Sequence, residues 1–393
     1  MISRYDFDNS APDRRGTASY KWDSAPSDDV IPLWVADMDF RTAPAVVAAL
    51  RKRVDHGVFG YVKVPDEYYE ALTGWFASRH GWQFSREDVI YTSGVVPAIS
   101  AIIKALCNHG DGVVVQTPVY NCFFSSIRNN GCRVVENRLI REELSEGQFT
   151  YRIDFDNLEQ LVAAPDCKIL LLCNPHNPAG RCWSAEELYR IAEICGKHGT
   201  TVVSDEIHCE LTMPGFSFTP FATVAGECSY VVCNSPSKAF NTAGLQIANI
   251  ICPSPSVRAA IDRAININEV CDVNPFGVVG LIAAYKDGAT WLDELRAYLY
   301  ENYLTFRSFM EKELPQLPYS ALEATYLAWV DVRPTGMRGE EIEHELINKH
   351  GVWVNAGGMY GCDDYIRINL ACPRNRLLEG LRRMAEGISQ WLK

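Results

Sequence analysis

The sequence predicts an α/β fold: a large domain with a mainly parallel central sheet covered by helices, plus a smaller α+β domain. The middle of the chain alternates short apolar runs with helical patterns, and such strand–helix–strand alternation is typical of parallel sheets. From about residue 288 the pattern changes to one long helical stretch followed by short strands. The 393 residues are enough to bury a large core and to form two domains.

Five short apolar runs predict strands of the large domain. They are Gly112–Gln116, Lys168–Cys173, Thr200–Asp205, Tyr230–Cys233 and Ile247–Cys252. A helix is predicted between the second and third strands, from Ser184 to Lys197, because it begins with a serine cap and acidic residues in its first turn. Ligands of such sheets bind at the carboxyl ends of the strands. The residues that follow these strands are therefore the first candidates for a functional site.

The C-terminal part of the chain is predicted to form the smaller domain. Its elements are a helix over Trp291–Leu314 and strands at Ala328–Val332 and Tyr365–Leu370. The predicted parts are an N-terminal segment that joins the small domain (1–50), the large domain (51–287) and the small domain (288–393).

Composition excludes several classes of function. The net charge of −12 and pI near 5.2 argue against a nucleic-acid partner, because no basic stripe could neutralise phosphates. The 14 cysteines are scattered without a Cys-x-x-Cys pair, which favours free thiols in a reducing cytoplasm, and the isolated histidines predict no metal site. Residues 1–8 lack the apolar stretch of a signal peptide, and no run of 18 apolar residues predicts a membrane span.

Lys238 is the most informative single residue. It follows the strand Tyr230–Cys233, and the hydroxyl residues Ser235 and Ser237 precede it. Burying an ammonium is costly unless it is paired or used in chemistry. A lysine at this position suits an imine with pyridoxal 5′-phosphate (PLP), with the hydroxyls near the phosphate of that cofactor. Taken alone, a Ser-x-Ser-Lys string is more often a solvated loop, so the interpretation depends on other residues.

Two polar residues, Asp205 and His208, lie at and just after the end of the predicted strand Thr200–Asp205. A carboxylate at the end of a buried strand needs a cationic or hydrogen-bonding partner. In a PLP site that partner is the pyridine nitrogen, and Asp205 would keep the ring protonated. The competing interpretation is a helix-cap or turn aspartate. His208 lies near the same edge and, taken alone, is an ordinary polar histidine.

Three further segments offer groups for the same cofactor. The loop Asn174–Arg181 has two Asn-Pro steps that specify a rigid turn, and Asn177 is its best donor for the phenolic oxygen. Gly94 and Pro97 mark a helix start whose free amides could bind phosphate. Tyr120 follows another strand and could stack on a flat ring. Plain turn chemistry and core packing are the alternatives.

Arg367 lies in an alternating strand that places Ile366 and Ile368 on one face and the arginine on the other. Such an arginine is usually solvated. If it points into the cleft, its guanidinium suits an α-carboxylate.

Together and in this order, these motifs resemble fold-type I PLP enzymes of the class I/II aminotransferase superfamily, over nearly the whole chain. The motifs are Asn174-Pro-His-Asn-Pro-Ala-Gly180, Ser204-Asp-Glu-Ile-His208 and Ser235-Pro-Ser-Lys238. Within the superfamily the chain looks most like the MalY/PatB-type cystathionine β-lyases, which are cysteine C–S lyases. That narrower resemblance rests on Leu33–Phe40, Phe59-Gly-Tyr61, Asp205-Glu-Ile-His208 and Ala243-Gly-Leu-Gln246.

The resemblance implies a role for each candidate. Lys238 would bind the cofactor covalently, Asp205 would contact the pyridine nitrogen, Asn177 the phenolic oxygen and Tyr120 the ring face, with His208 also in the cofactor site. Phosphate contacts would come from the amides of Val95 and Val96, from Ser235 and Ser237, and from Tyr61 of a second subunit. Arg367 would bind the substrate carboxylate, and Trp34 would lie near the entrance. A shared site of this kind implies a homodimer with two-fold symmetry.

Two positions depart from the wider aminotransferase pattern. The superfamily often has a tyrosine where this chain has His208, and a phosphate-binding arginine where it has Gln246. Both replacements agree with the C–S lyase branch. They place in doubt any role carried from true aminotransferases to these two positions.

The resemblance implies α,β-elimination of L-cystathionine or a related cysteine S-conjugate, giving a thiol, pyruvate and ammonia. The alternative is an aminotransferase that acts on an amino acid and a 2-oxo acid. The same residues serve both reactions, so the sequence leaves both open. A third interpretation, a binding protein without chemistry, is disfavoured because a binding module has no need of Lys238.

Overall fold

The computed structural model of the protein describes residues 4–145, 147–269 and 272–392. The first three residues of the predicted N-terminal segment, and Lys393 at the end of the predicted small domain, lie outside the described residues. None of the helices in the described ranges has both the length and the apolar character needed to cross a membrane.

The described residues form fifteen strands. They are β1 (Ile31–Pro32), β2 (Val89–Thr92), β3 (Gly112–Val115), β4 (Arg133–Glu136), β5 (Ile140–Ser145), β6 (Gln148–Arg152), β7 (Cys167–Cys173), β8 (Thr201–Asp205), β9 (Tyr230–Asn234), β10 (Ala248–Ile251), β11 (Tyr319–Ser320), β12 (Leu327–Asp331), β13 (Val352–Trp353), β14 (Asn355–Ala356) and β15 (Tyr365–Asn369).

The same residues form eleven α-helices. They are α1 (Pro44–His56), α2 (Asp66–His80), α3 (Val95–Leu106), α4 (Asn121–Asn129), α5 (Phe155–Val162), α6 (Ala185–His198), α7 (Pro255–Asn266), α8 (Pro275–Asp287), α9 (Ala289–Glu313), α10 (Gly339–Glu345) and α11 (Arg374–Ile388).

Seven strands form the central sheet, in the order β2-β10-β9-β8-β7-β3-β4. The pairs from β4 to β9 are parallel, and β10 runs antiparallel to both of its neighbours. The chain passes from β9 to β10 without an α-helix, and a short connection of this kind returns a strand in the opposite direction. The predicted mainly parallel sheet is therefore confirmed, with one antiparallel strand that the pattern did not reveal.

Both faces of the central sheet are buried. Val113 and Val115 of β3 pack in the cluster that contains residues of α3 and α4, whereas Val114 packs with residues of α5 and α6. Alternate side chains of a strand point to opposite faces, so a sheet covered on both sides reads as a continuous apolar run. This explains why the five strands could be recognised in the sequence as apolar runs. Each predicted strand is confirmed to within one or two residues.

The helix predicted between β7 and β8 is also confirmed. The Ser184 hydroxyl accepts the backbone N–H of Glu187, and the Glu187 carboxylate accepts the N–H of Ser184. This reciprocal pair satisfies two backbone donors that the start of a helix otherwise leaves free.

A second sheet of six strands has the order β14-β15-β12-β11-β6-β5. Its β15 residues Ile366 and Ile368 pack in one cluster with Phe306 of α9 and Leu381 of α11. Strands β5 and β6, at residues 140–152, extend this C-terminal sheet, and β1 pairs with β13. The predicted domain boundaries stay a prediction.

Candidate active site

A cavity of about 220 Å³ lies at the carboxyl edge of the central sheet. Eight of the predicted site residues line it: Val95, Val96, Tyr120, Asn177, Asp205, His208, Ser237 and Lys238. Cys173, Asp205 and Cys233 are neighbours across β7, β8 and β9, so adjacent strands end at this edge. The topology brings together residues that lie more than 140 positions apart in the sequence, between Val95 and Lys238.

Lys238 is half-buried in the cavity wall, and its Nζ donates to the carbonyl oxygen of Ala36 at 2.8 Å. Burial, and after it the positive charge of Arg367, lower the pKa of Lys238 to about 8, while Asp37 and Asp205 act in the opposite direction. A lysine with such a pKa is about one-tenth neutral at pH 7, far more than an ordinary lysine, and the neutral amine is the form that acts as a nucleophile or base.

Asp205 is buried at the end of β8, and its Oδ1 accepts the backbone N–H of Ile207 at 3.1 Å. Burial raises the pKa of this carboxyl to about 7, although the Ile207 N–H and the charge of Lys238 favour the ionised form. A cationic group placed in the cavity would stabilise the carboxylate and return its pKa towards the usual range.

His208 is buried beside the same cavity, with its ring 6.3 Å from that of Tyr326. Burial, together with the charges of Lys238 and Arg367, lowers the pKa of His208 well below its ordinary value, so the imidazole is neutral. Its Nδ1 has no hydrogen-bond partner among the described residues. Buried polar atoms are rarely left unpaired, so this atom is available to a ligand.

Arg367 is only 3% exposed, and it does not face solvent. One guanidinium nitrogen, Nη1, donates to Asn177 Oδ1 at 3.1 Å, and Nη2 donates to the carbonyl of Trp34 at 3.0 Å. The guanidinium lies over the ring of Tyr360, 4.7 Å from its centroid, and Nε lacks a partner among the described residues. Asn177 lines the cavity and therefore links Arg367 to it, whereas Arg367 itself is not part of the lining.

The first turn of α3 also lines the cavity, and no side chain caps this helix at Gly94. Free N–H groups at a helix start bind anions. Ser237 lines this region, but Ser235 does not: its hydroxyl donates to the carbonyl of Ile247 at 2.5 Å and accepts the N–H of Ser237. Gln246 completes the wall, with a left-handed φ of +48°.

Four predicted residues are absent from the cavity lining: Ser235 and Arg367, described above, and Tyr61 and Trp34. Tyr61 is 95% exposed in the segment between α1 and α2. Trp34 stacks on Trp353 at 4.1 Å and reaches the site through its carbonyl, which accepts from Arg367. Their roles stay predictions.

Sequence reasoning missed three residues that shape the site. Ala36 supplies the acceptor for Lys238, and the hydroxyl of Tyr326 donates to the same carbonyl at 2.9 Å. Tyr360 underlies Arg367. Ala36 lies within Leu33–Phe40, a segment that carried the family resemblance, but a backbone carbonyl has no signature in a sequence. Tyr326 begins an apolar run and reads as core.

One group of possible metal ligands occurs in the described ranges, at His80, Cys209 and Glu210. Glu210 is buried, and its oxygens already accept from Trp75 Nε1 at 2.6 Å and from Arg79 Nε at 3.1 Å, with His80 Nε2 at 2.6 Å. These bonds explain the cluster as an ion-pair network that holds the segment after His208 against α2.

The fold and this constellation are those of an aminotransferase-like enzyme. A family model described as aminotransferase class I and II matches residues 28–384. The chain belongs to this family.

Individual relatives narrow the comparison. Cystathionine beta-lyase PatB of Bacillus subtilis (strain 168) is 39% identical over 385 residues, which are 96% of this chain and 98% of that protein. The predicted resemblance to PatB-type lyases is therefore confirmed. A PLP-bound putative aminotransferase from Clostridium difficile 630 superposes with a TM-score of 0.93 at 35% identity, covering 98% of this chain and 100% of that chain. Cystalysin from Treponema denticola, in a structure that contains pyridoxal 5′-phosphate, superposes with a TM-score of 0.92 at 33% identity, covering 99% of this chain and 100% of that chain.

Proposed function

We propose that this protein is a PLP-dependent carbon–sulfur lyase that acts by α,β-elimination on L-cystathionine or related cysteine S-conjugates and releases a thiol, pyruvate and ammonia. The observation that carries the proposal is the amine of Lys238, which lies at the carboxyl edge of the sheet with a lowered pKa and no carboxylate partner among the described ion pairs. The relationship to PatB supports the choice of reaction.

The groups around the cavity fit PLP. The neutral amine of Lys238 suits an aldehyde, and the buried carboxyl of Asp205 suits a protonated ring nitrogen. The uncapped first turn of α3 suits a phosphate. The unpartnered His208 Nδ1 and the amide of Asn177 remain for polar atoms of the ring. Each of these polar groups lacks a full set of protein partners, as a ligand site requires.

When bound, the cofactor withdraws electrons from the α-carbon of an amino acid joined to it. Arg367 would hold the substrate carboxylate through its guanidinium and so orient the α-carbon. Lys238 Nζ would take the α-proton as general base, because its lowered pKa makes the neutral amine more accessible near neutral pH than in an ordinary lysine. Asp205 would keep the ring nitrogen protonated. The burial of these groups excludes water and strengthens their electrostatic effects.

The proposal includes a homodimer that shares its active sites. An exposed apolar segment between α1 and α2 supports this: Val58 is 61% exposed, Phe59 56% and Tyr61 95%. Apolar side chains grouped in this way are typical of an interface. In the dimer, Tyr61 would reach the phosphate site of the other subunit.

The proposal also includes the division into residues 1–50, 51–287 and 288–393, and a cytoplasmic location. The thirteen cysteines within the described ranges all carry free thiols, and ten of them are buried, which supports a reducing compartment. The acidic net charge supports a small amino-acid substrate rather than a nucleic acid.

An aminotransferase is the second candidate, favoured by the family description and by the similarity to the C. difficile protein. Both reactions begin with removal of the α-proton by Lys238. They would differ afterwards: the lyase would release a leaving group from the β-carbon, whereas the aminotransferase would need a 2-oxo acid as second substrate.

The test is pyruvate release from L-cystathionine by purified, PLP-loaded protein, with and without an added 2-oxo acid. Pyruvate formed without the oxo acid supports the lyase. Consumption of the amino acid only when the oxo acid is present supports the aminotransferase. A PLP-bound protein that is inert towards a panel of amino acids under both conditions contradicts both.

A further inference from the structure

The carbonyl oxygen of Ala36 accepts two hydrogen bonds at the wall of the cavity. Lys238 Nζ donates at 2.8 Å, and the Tyr326 hydroxyl donates at 2.9 Å. A carbonyl oxygen has two lone pairs and can accept both. The two donors belong to different parts of the chain, the turn between β9 and β10 and the residue before β12, so a single backbone atom connects them.

The Ala36 carbonyl is held in a fixed position. The carbonyl of Trp34 accepts from Arg367 at 3.0 Å and from Asn355 at 3.0 Å. The carbonyl of Asp37 accepts from Asn369 at 2.7 Å, and that of Met38 accepts from Asn241 at 2.9 Å. Because the peptides on both sides are anchored, the Ala36 oxygen offers one defined place for an amine.

Tyr326 can act there only as a donor. The residue is 1% exposed, and burial raises the pKa of its phenol far above the usual range, so the hydroxyl keeps its proton. A donor on the shared oxygen withdraws electron density from it. The oxygen then stabilises a second, charged donor less well than it would alone.

Several charged or titratable side chains near Lys238 affect the protonation of its amine. Arg367 carries a positive charge that opposes protonation of the amine, whereas Asp37, Asp205 and the thiol of Cys122 favour it. His208 is neutral and nearby. No carboxylate forms an ion pair with Lys238 among the described residues, so the Ala36 oxygen is the one direct acceptor recorded for the ammonium.

We propose that Tyr326 is a positioning residue for Lys238: through the shared Ala36 oxygen it fixes where the amine rests when it is not bound to the cofactor, and it favours the neutral, basic form. The inference rests on the proposed function, because it describes the amine that takes the α-proton. It goes beyond that function by assigning a role to a residue outside the cavity lining.

The test compares Tyr326→Phe with wild type in the cofactor-free protein. The rate at which acetic anhydride labels Lys238 is measured against pH by peptide mass spectrometry. Without the phenol, the carbonyl becomes a better acceptor for the ammonium. The midpoint, which is the pH at half of the maximal labelling rate, should therefore rise by about one pH unit, and labelling at pH 7 should fall about tenfold. The matched control is Tyr303→Phe, which removes another buried hydroxyl, one bonded to the N–H of Leu322. It should leave the midpoint unchanged.

A midpoint that is the same in Tyr326→Phe and wild type overturns the proposal, as does an equal shift in both variants. Should Tyr326→Phe fail to fold, 3-fluorotyrosine introduced at position 326 keeps the ring and makes the phenol a stronger donor. The midpoint should then fall, and an unchanged or raised midpoint contradicts the proposal. Labelling does not require turnover, so failure of the lyase assay and failure of this inference are separate results.

Discussion

Two lysines, one fully buried and one half-buried, occupy contrasting surroundings. Lys21 is fully buried in the N-terminal segment, where its Nζ lies 3.2 Å from Asp39 Oδ1. Asp39 also accepts from Trp22 Nε1 at 2.9 Å and from Arg376 Nη1 at 2.8 Å. Lys238 has a neutral carbonyl as its partner instead.

The aspartates of the two regions differ in the same way. In Asp39, neighbouring positive charges outweigh burial and lower the pKa of the carboxyl, whereas burial raises the pKa of Asp205 to about 7. The lysine and the aspartate around Asp39 thus have oppositely charged partners within the protein, whereas Lys238 and Asp205 form no such ion pair among the described residues. The difference indicates that the ion cluster around Asp39 maintains the fold and that the cavity around Asp205 is reserved for a ligand.

The largest expected effect separates the two lysines. Lys238→Met should lower turnover by at least about a thousandfold, since it would remove both the proposed covalent anchor and the proposed general base, while stability stays equal or rises. Lys21→Met should instead destabilise the fold by about 3–5 kcal/mol because it leaves Asp39 under-partnered. Pyruvate release and urea unfolding measure the two effects. Full turnover in Lys238→Met would contradict the assignment of Lys238.

The aspartates provide a second contrast, in the cofactor-free protein. Asp39→Asn should cost about 3 kcal/mol of unfolding free energy, because it weakens bonds to several cations. The raised pKa of Asp205 means that its protonated form stabilises the fold, fully below pH 4, and that this stability is lost as pH rises to about 7. Asp205→Asn should remove that part of the pH dependence and leave stability at pH 8 equal or higher. Urea unfolding at pH 5 and pH 8 tests this, and a loss in Asp205→Asn as large as that in Asp39→Asn would remove the distinction.

Two glutamates extend the comparison along one segment. Burial raises the pKa of Glu206 to about 8, whereas bonds to His80 and the charge of Arg79 lower the pKa of Glu210 despite its burial. Stability from protonated Glu206 is complete below about pH 4.5 and is lost as pH rises through 8. In Glu206→Gln, the free energy of unfolding should therefore decline less between pH 5 and pH 9 than in wild type, by on the order of 2 kcal/mol.

Glu210→Gln should reduce stability by about 1–3 kcal/mol at pH 7, because it weakens hydrogen bonds that involve charged groups. Thermal unfolding monitored at pH 5 and pH 9 distinguishes Glu206→Gln from Glu210→Gln. If Glu206→Gln keeps the decline of the wild type, then Glu206 is ionised in the folded protein and its assignment as a neutral acid is wrong.

Much of the site could be predicted because its residues follow strands that are legible as apolar runs. Lys238, Asp205 and Asn177 lie at strand ends, and the parallel topology alone brings such positions together. The antiparallel direction of β10 and the hairpin of β5 and β6 were not predicted. The burial pattern of β5 is mostly exposed and its residues are charged, so it shows no apolar alternation.

Contacts made by the backbone, and contacts between distant residues, were beyond the sequence. Nothing in the residue Ala36 shows that its carbonyl accepts from Lys238 and Tyr326, which are more than 200 positions away. Alternation placed Arg367 on the face opposite Ile366, but only tertiary structure shows that this second face is also buried.

The smallest effect concerns Tyr61, whose role derives from resemblance alone. Tyr61→Phe should weaken PLP binding about tenfold, the loss expected for one hydrogen bond to a charged phosphate, and should leave the stability of the isolated subunit unchanged because the side chain is 95% exposed. Tyr189→Phe, at another exposed tyrosine on α6, is the control and should leave the PLP dissociation constant unchanged. Equal PLP affinity in Tyr61→Phe and wild type would show that the Tyr61 hydroxyl does not contribute to phosphate binding, which contradicts the role that the resemblance implies for it.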